Sequence, residues 1–115
     1  MSITADVVDC VFGRPAEGVH VTVQREVDGQ WQEYATGRSG ATGRVGFPPA
    51  PERGRYRAVF ELDQYFAGLG LENFQSQVGL VFRVGSPDEE IGLLLLISPS
   101  ATSVCRVADG AVFPV

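Results

Sequence analysis

The chain has 115 residues, 44% of them hydrophobic and 20% charged, with a formal net charge of -5, one histidine and two cysteines. That length supports one hydrophobic core and not two, and the acidic balance, with arginines scattered among carboxylates, argues against nucleic acid as a partner. One histidine and two cysteines make no zinc-type ligand set, so neither a metal nor another cofactor is expected; Cys10 and Cys105 are too few and too far apart for a disulfide framework and read as reduced thiols.

Fourteen glycines and seven prolines cut the chain into segments of strand length, which predicts an all-β sandwich rich in turns. Thr4 to Phe12 is a valine-rich strand. The residues from Met1 to Cys10 lack the charged, apolar, then small-residue order of a secretory leader, so a cytoplasmic location is expected. Val19, Val21 and Val23 alternate with His20, Thr22 and Gln24, giving one apolar and one polar face and turning His20 away from the core. Asp28-Gly29 is a two-residue hairpin signal that pairs this strand with Trp31 to Thr36.

Tyr56, Ala58, Phe60 and Leu62 mark one half-buried strand, and Val78, Leu80, Phe82 and Val84 another. Between them a short helix is predicted over Gln64 to Leu69, with Asp63 as N-cap and Gly70 as its stop. Glu90 to Ile97 breaks the alternation, because Ile91 and Leu93 to Ile97 are apolar on both pleat faces. The run is too short to cross a bilayer, so no membrane partner is expected. In an antiparallel sandwich a doubly apolar strand needs a second cover, since Leu94 and Leu96 left bare would form an apolar stripe. Another subunit is the expected cover, with a loop of the same chain as the alternative. Ser103 and Cys105 share a face of the last strand; Cys105 is expected to be a small buried hydrophobe, because no base stands near enough in sequence to activate it as a thiolate.

In order and spacing, these residues resemble the transthyretin and hydroxyisourate hydrolase family from Ile3 to about Arg106. The matching segments are Val7-Val8-Asp9, Gly13-Arg14-Pro15-Ala16, Gly18-Val19, Ala35-Thr36-Gly37, Thr42-Gly43-Arg44, Gly54-Arg55-Tyr56-Arg57, Tyr65-Phe66, Phe82-Arg83-Val84, Pro87-Asp88 and Leu95-Leu96-Ile97-Ser98-Pro99. The resemblance implies one transthyretin-like domain over residues 1–115, made of two four-stranded antiparallel sheets and one short helix. It also implies dimers joined by edge strands and a homotetramer with a channel between dimers. In the family's hydrolases that channel is the active site, in transthyretin it binds a hydrophobic hormone, and the strand at Glu90 to Ile97 lines it.

Carried over by this resemblance, the family's first catalytic histidine falls on Asp6, its arginine on Arg44 and its second histidine on Gly92, while its terminal Tyr-Arg-Gly-Ser falls on Cys105, Arg106, Val107 and Ala108. Only the arginines survive, and a glycine can neither give nor accept a proton, so 5-hydroxyisourate hydrolysis is not expected. The expected catalytic pair is Asp6, moving a proton, and Arg44, holding an anionic or enolate-like oxygen; Asp6 as an ordinary aspartate paired with Arg44 is the plain alternative. Val8, Gly92, Leu94, Leu96, Ser103, Cys105 and Arg106 are the expected substrate-binding residues, Gly92 by leaving room for a larger, greasier ligand. The implied function is a hydrolase scaffold repurposed in a specialised pathway for a small, partly hydrophobic cyclic or carbonyl compound, by hydrolysis, cyclisation or isomerisation. A non-catalytic binding protein using the same channel is the alternative. The fairly apolar tail Val107 to Val115 is open to four roles: extending the last strand, covering the channel mouth, being ordered by a neighbour, or fraying.

Overall fold

In β1 (Ile3–Asp9) the residues Ile3, Ala5, Val7 and Asp9 are buried while Thr4, Asp6 and Val8 are half-buried, the two-residue period of a strand with one face on a core. The computed structural model describes residues 3–49, 52–86 and 89–107. After β1 come β2 (Arg14–Pro15), β3 (His20–Val27), β4 (Gln30–Arg38), β5 (Arg44–Phe47), β6 (Gly54–Glu61), α1 (Asp63–Gly68), β7 (Gln77–Val84), β8 (Ile91–Ile97) and β9 (Thr102–Val107). The predicted alternations hold: Val21 and Val23 of β3, and Tyr56, Ala58 and Phe60 of β6, face the core, and Leu62 is buried just beyond β6. No helix among the described residues is long and apolar enough to cross a membrane.

The strands form two sheets packed as a β-sandwich with one short helix. In the first sheet β1 has β5 and β2 along one edge and β8 on the other, with β9 outside β8. The second runs β4-β3-β6-β7 and is antiparallel throughout. The expectation of two purely antiparallel four-stranded sheets needs correction in the first, where β1 and β8 run parallel and β2 makes a fifth strand. Parallel neighbours require a long connection; here the intervening chain builds the whole second sheet. Between the layers, Val7, Leu95 and Ile97 share one hydrophobic cluster with Val21, Tyr56, Phe60 and Phe66. Full burial of each such aliphatic or aromatic side chain is worth roughly 1.5–3 kcal/mol.

Local signals set the connections. Asp28 and Gly29 both have positive φ, 52° and 76°, the two left-handed residues of a type I′ turn, and β3 and β4 pair as expected. The helix differs in detail, because Leu62 holds the N-cap position without a side-chain hydrogen bond. Asp63 stands in the first turn, and its carboxylate accepts instead from Asn73 Nδ2 at 2.9 Å and Ser76 Oγ at 2.7 Å, tying the helix start to the loop before β7. Gly70 does stop the helix: at φ 72° its N–H donates to Ala67 and that of Leu71 to Phe66, a Schellman closure.

The doubly apolar strand is the central β8. Leu94 is only 7% exposed within a single chain. Its cross-strand neighbours Asp6 and Cys105 flank it on both sides. Leu96 remains half-buried. The expected roles of the tail after Val107, including Ala108, and the Pro87-Asp88 match lie outside the described residues.

Candidate functional site

The register of the first sheet arranges its outward face in rows. Asp6 of β1 lies opposite Arg44 of β5 on one side and Leu94 of β8 on the other, and Leu94 lies opposite Cys105 of β9. Cross-strand partners share a face, so the middle row reads Arg44, Asp6, Leu94, Cys105. Above it Gly46, Thr4, Gly92 and Val107 align, and below it Val8, Leu96 and Ser103. Eight of the nine predicted site residues, all but Arg106, therefore lie in these three rows.

Arg44 is delivered by the turn before β5. Gly43 has φ +82°, and a Cβ there would lie 2.5 Å from the Val7 carbonyl oxygen, an approach only glycine permits. Val7 N–H in turn donates to the Gly43 carbonyl at 2.9 Å, locking the turn against β1 and setting Arg44 beside Asp6. The guanidinium donates to the carboxylate through two bonds, Nε to Oδ1 at 2.9 Å and Nη2 to Oδ2 at 3.1 Å. The Asp6 side chain is 16% exposed and that of Arg44 51%. The hydrogen bond and charge of Asp6 push the Arg44 guanidinium above its ordinary range, so it stays cationic. Within these three rows the pair holds the only charged side chains.

Three expectations need correction. Gly92 opens no space: a Cβ there would lie 2.6 Å from Val107 Cγ2 and 3.1 Å from the Val107 carbonyl oxygen, so the volume is already filled from β9. Cys105 is exposed rather than buried, because the outward face of an edge strand has no neighbour beyond it. Arg106 points to the opposite pleat face, opposite Leu93, and donates to Glu89 Oε2 at 2.8 Å. Glu89 also accepts from Gly85 N–H at 2.8 Å, and these bonds hold its carboxyl below the usual range. Arg106 thus anchors a loop and does not join Asp6 and Arg44.

His20, the lone histidine, lies in the second sheet opposite Arg38 and Glu61 and is half-buried, remote from this face. Asp9, at the end of β1, is a carboxylate at a core position. It is fully buried and accepts from Val11 N–H at 2.8 Å, Phe12 N–H at 3.2 Å and the Tyr65 hydroxyl. Burial and that bond push the Tyr65 phenol up to about 12. Its position was legible, because Ile3, Ala5, Val7 and Asp9 lie on one two-residue period and a carboxylate at a core position demands partners. Those partners make it a clamp between the end of β1 and α1.

A profile of the HIUase/Transthyretin family matches residues 3–106. The chain is 29% identical over 107 residues to the 5-hydroxyisourate hydrolase of Salmonella dublin, covering 90% of this chain and 79% of that protein. Among solved structures it is similar to Klebsiella pneumoniae 5-hydroxyisourate hydrolase, at TM-score 0.82 and 30% identity over 94% of this chain and 100% of that one. It is also similar to sea bream transthyretin in complex with thyroxine, at TM-score 0.85 and 28% identity over 95% and 97% of the two chains.

Proposed function

This chain belongs to the HIUase/Transthyretin family, and from that premise we propose that the outward face of its five-stranded sheet takes up a small, partly hydrophobic cyclic or carbonyl compound and acts on it by acid–base chemistry. The reaction would proceed in the inter-dimer channel of a homotetramer, with no cofactor. The observation that carries the reading is the Arg44–Asp6 pair set among Val8, Leu94 and Leu96, on a face without a histidine among the described residues. A carbonyl oxygen entering beside Arg44 accepts from the guanidinium donors that Asp6 leaves free. In lactone hydrolysis, for example, Asp6 takes a proton from water and the resulting hydroxide bonds to the carbonyl carbon. Arg44 then holds the oxyanion until the ring C–O bond breaks and the departing alkoxide recovers the proton from Asp6.

A second reading, ligand binding without turnover, is favoured by the same pair at rest, since both oxygens of Asp6 are occupied by guanidinium donors. The deciding experiment is turnover of a panel of uncharged lactones and enolisable ketones, with 5-hydroxyisourate as comparison. The expected result is acceleration of at least one panel compound, lost by roughly 100-fold or more in folded Asp6→Asn, and none for 5-hydroxyisourate. Thermal stabilisation by panel compounds without any turnover would select the second reading. Rapid hydrolysis of 5-hydroxyisourate would overturn both.

A further inference from the structure

We propose that the compound taken up on this face carries no net charge, because Asp6 occupies the seat on Arg44 that an anionic ligand would need. The inference rests on the reading that this face is the binding site and narrows its substrate class. Arg44 recognises a planar anion through two parallel N–H donors on one edge. The Nε–Nη2 edge is already committed, to Oδ1 and Oδ2 of Asp6 at 2.9 and 3.1 Å. The pair is neutral as a unit, and no second cation stands in the rows around it to attract a free anion: Thr4, Val8, Gly92, Leu96, Ser103 and Val107 are all uncharged.

The donors left on Arg44 can still reach a ligand, since that side chain is half exposed. A neutral carbonyl placed there accepts a hydrogen bond without opposing any charge. An anion at the same place lies close to the Asp6 carboxylate, whose repulsion offsets the attraction of the guanidinium, and it must also shed water over an apolar floor. Val8 and Leu96, both half-buried, supply that floor, with the buried Leu94 and Val107 beneath it, the latter filling the space over Gly92. One carboxylate therefore acts as a covalently tethered substitute for a ligand's anion. Selection against charge lies in Asp6, and selection for apolar bulk in the Leu96 and Val107 rows.

The test uses two fluorescent probes of one shape and different charge, neutral 1-anilinonaphthalene and its sulfonate, 8-anilinonaphthalene-1-sulfonate, with the full-length protein in its native assembly. In the unaltered protein the neutral probe is expected to bind at least tenfold more tightly than the sulfonate. Asp6→Asn, and independently Asp6→Ala, free the Arg44 edge and remove the repulsion, so the ratio shifts at least tenfold toward the sulfonate, and added salt diminishes the shift. Leu96→Trp, or Val8→Trp should the first fail to fold, fills the floor and is expected to expel both probes. If the sulfonate binds the unaltered protein as tightly as the neutral probe, or the ratio ignores both Asp6 variants while a tryptophan still expels the probes, the charge inference is wrong and the site stands. If neither tryptophan alters binding of either probe, the face is not the binding site and both proposals fall.

Discussion

Substituting Gly92 by alanine sets two physical effects against each other, and the structure says which wins. Glycine in a strand is ordinarily a weak choice, so alanine there gains roughly 0.5–1 kcal/mol from reduced backbone entropy alone. At this position φ is not in the left-handed region, so backbone strain contributes nothing, but the new Cβ lies 2.6 Å from Val107 Cγ2 and 3.1 Å from the Val107 carbonyl oxygen. The first contact is far inside van der Waals range and lies in a filled position, Val107 being 8% exposed. Overpacking of that kind costs about 1–3 kcal/mol, so Gly92→Ala is expected to destabilise by about 1–2 kcal/mol net. Urea unfolding with an unchanged m-value measures it. Val107→Ala removes the clashing methyl, so the double variant Gly92→Ala, Val107→Ala is expected to be more stable than the sum of the singles by at least about 1 kcal/mol. A Gly92→Ala protein as stable as its parent, or strictly additive costs, would refute the claim that Val107 occupies the space a side chain at position 92 would need.

Gly43→Ala is expected to cost more than about 2 kcal/mol, because it combines φ +82° with a Cβ 2.5 Å from the Val7 carbonyl oxygen; chemical denaturation checks this, and probe binding should weaken as Arg44 moves away from Asp6. Tyr65 sets an alkaline limit: its phenol is raised from 10.0 to about 12, so its contribution is complete below pH 10 and lost as pH rises toward 12, where the unfolded chain deprotonates first. For a half-buried group that contribution is on the order of 1–2 kcal/mol, and Tyr65→Phe should flatten the slope of stability against pH over that window. Asp63 acts at the other end, since its bonds to Ser76 and Asn73 hold its carboxyl below 3.8. Its contribution is present above that value and lost as pH falls below it, so Asp63→Asn should remove part of the acid sensitivity seen in thermal melts at pH 2–5.

The candidate face was legible because period two places Asp6 with Val8, and Leu94 with Leu96, on single strand faces, while the family resemblance aligned those strands. Arg106 misled because sequence correspondence says that an arginine is present but not which pleat face it takes. One residue of phase sends it to Glu89 instead of Asp6. Asp63 misled because a cap and a first-turn position differ by one residue, and its side chain found stronger donors in Ser76 and Asn73.

What the chain's order of residues determined alone is what depends on near neighbours: strand alternation, the type I′ turn at Asp28-Gly29, the glycine stop at Gly70, and the absence of histidine at positions 6 and 92. Tertiary structure decided what depends on register between distant segments. It ran β8 parallel to β1, brought Arg44 onto Asp6 across 38 positions, and set Val107 over Gly92. These outcomes turn on which strands become neighbours, and that choice is made by the packing of the whole sandwich core.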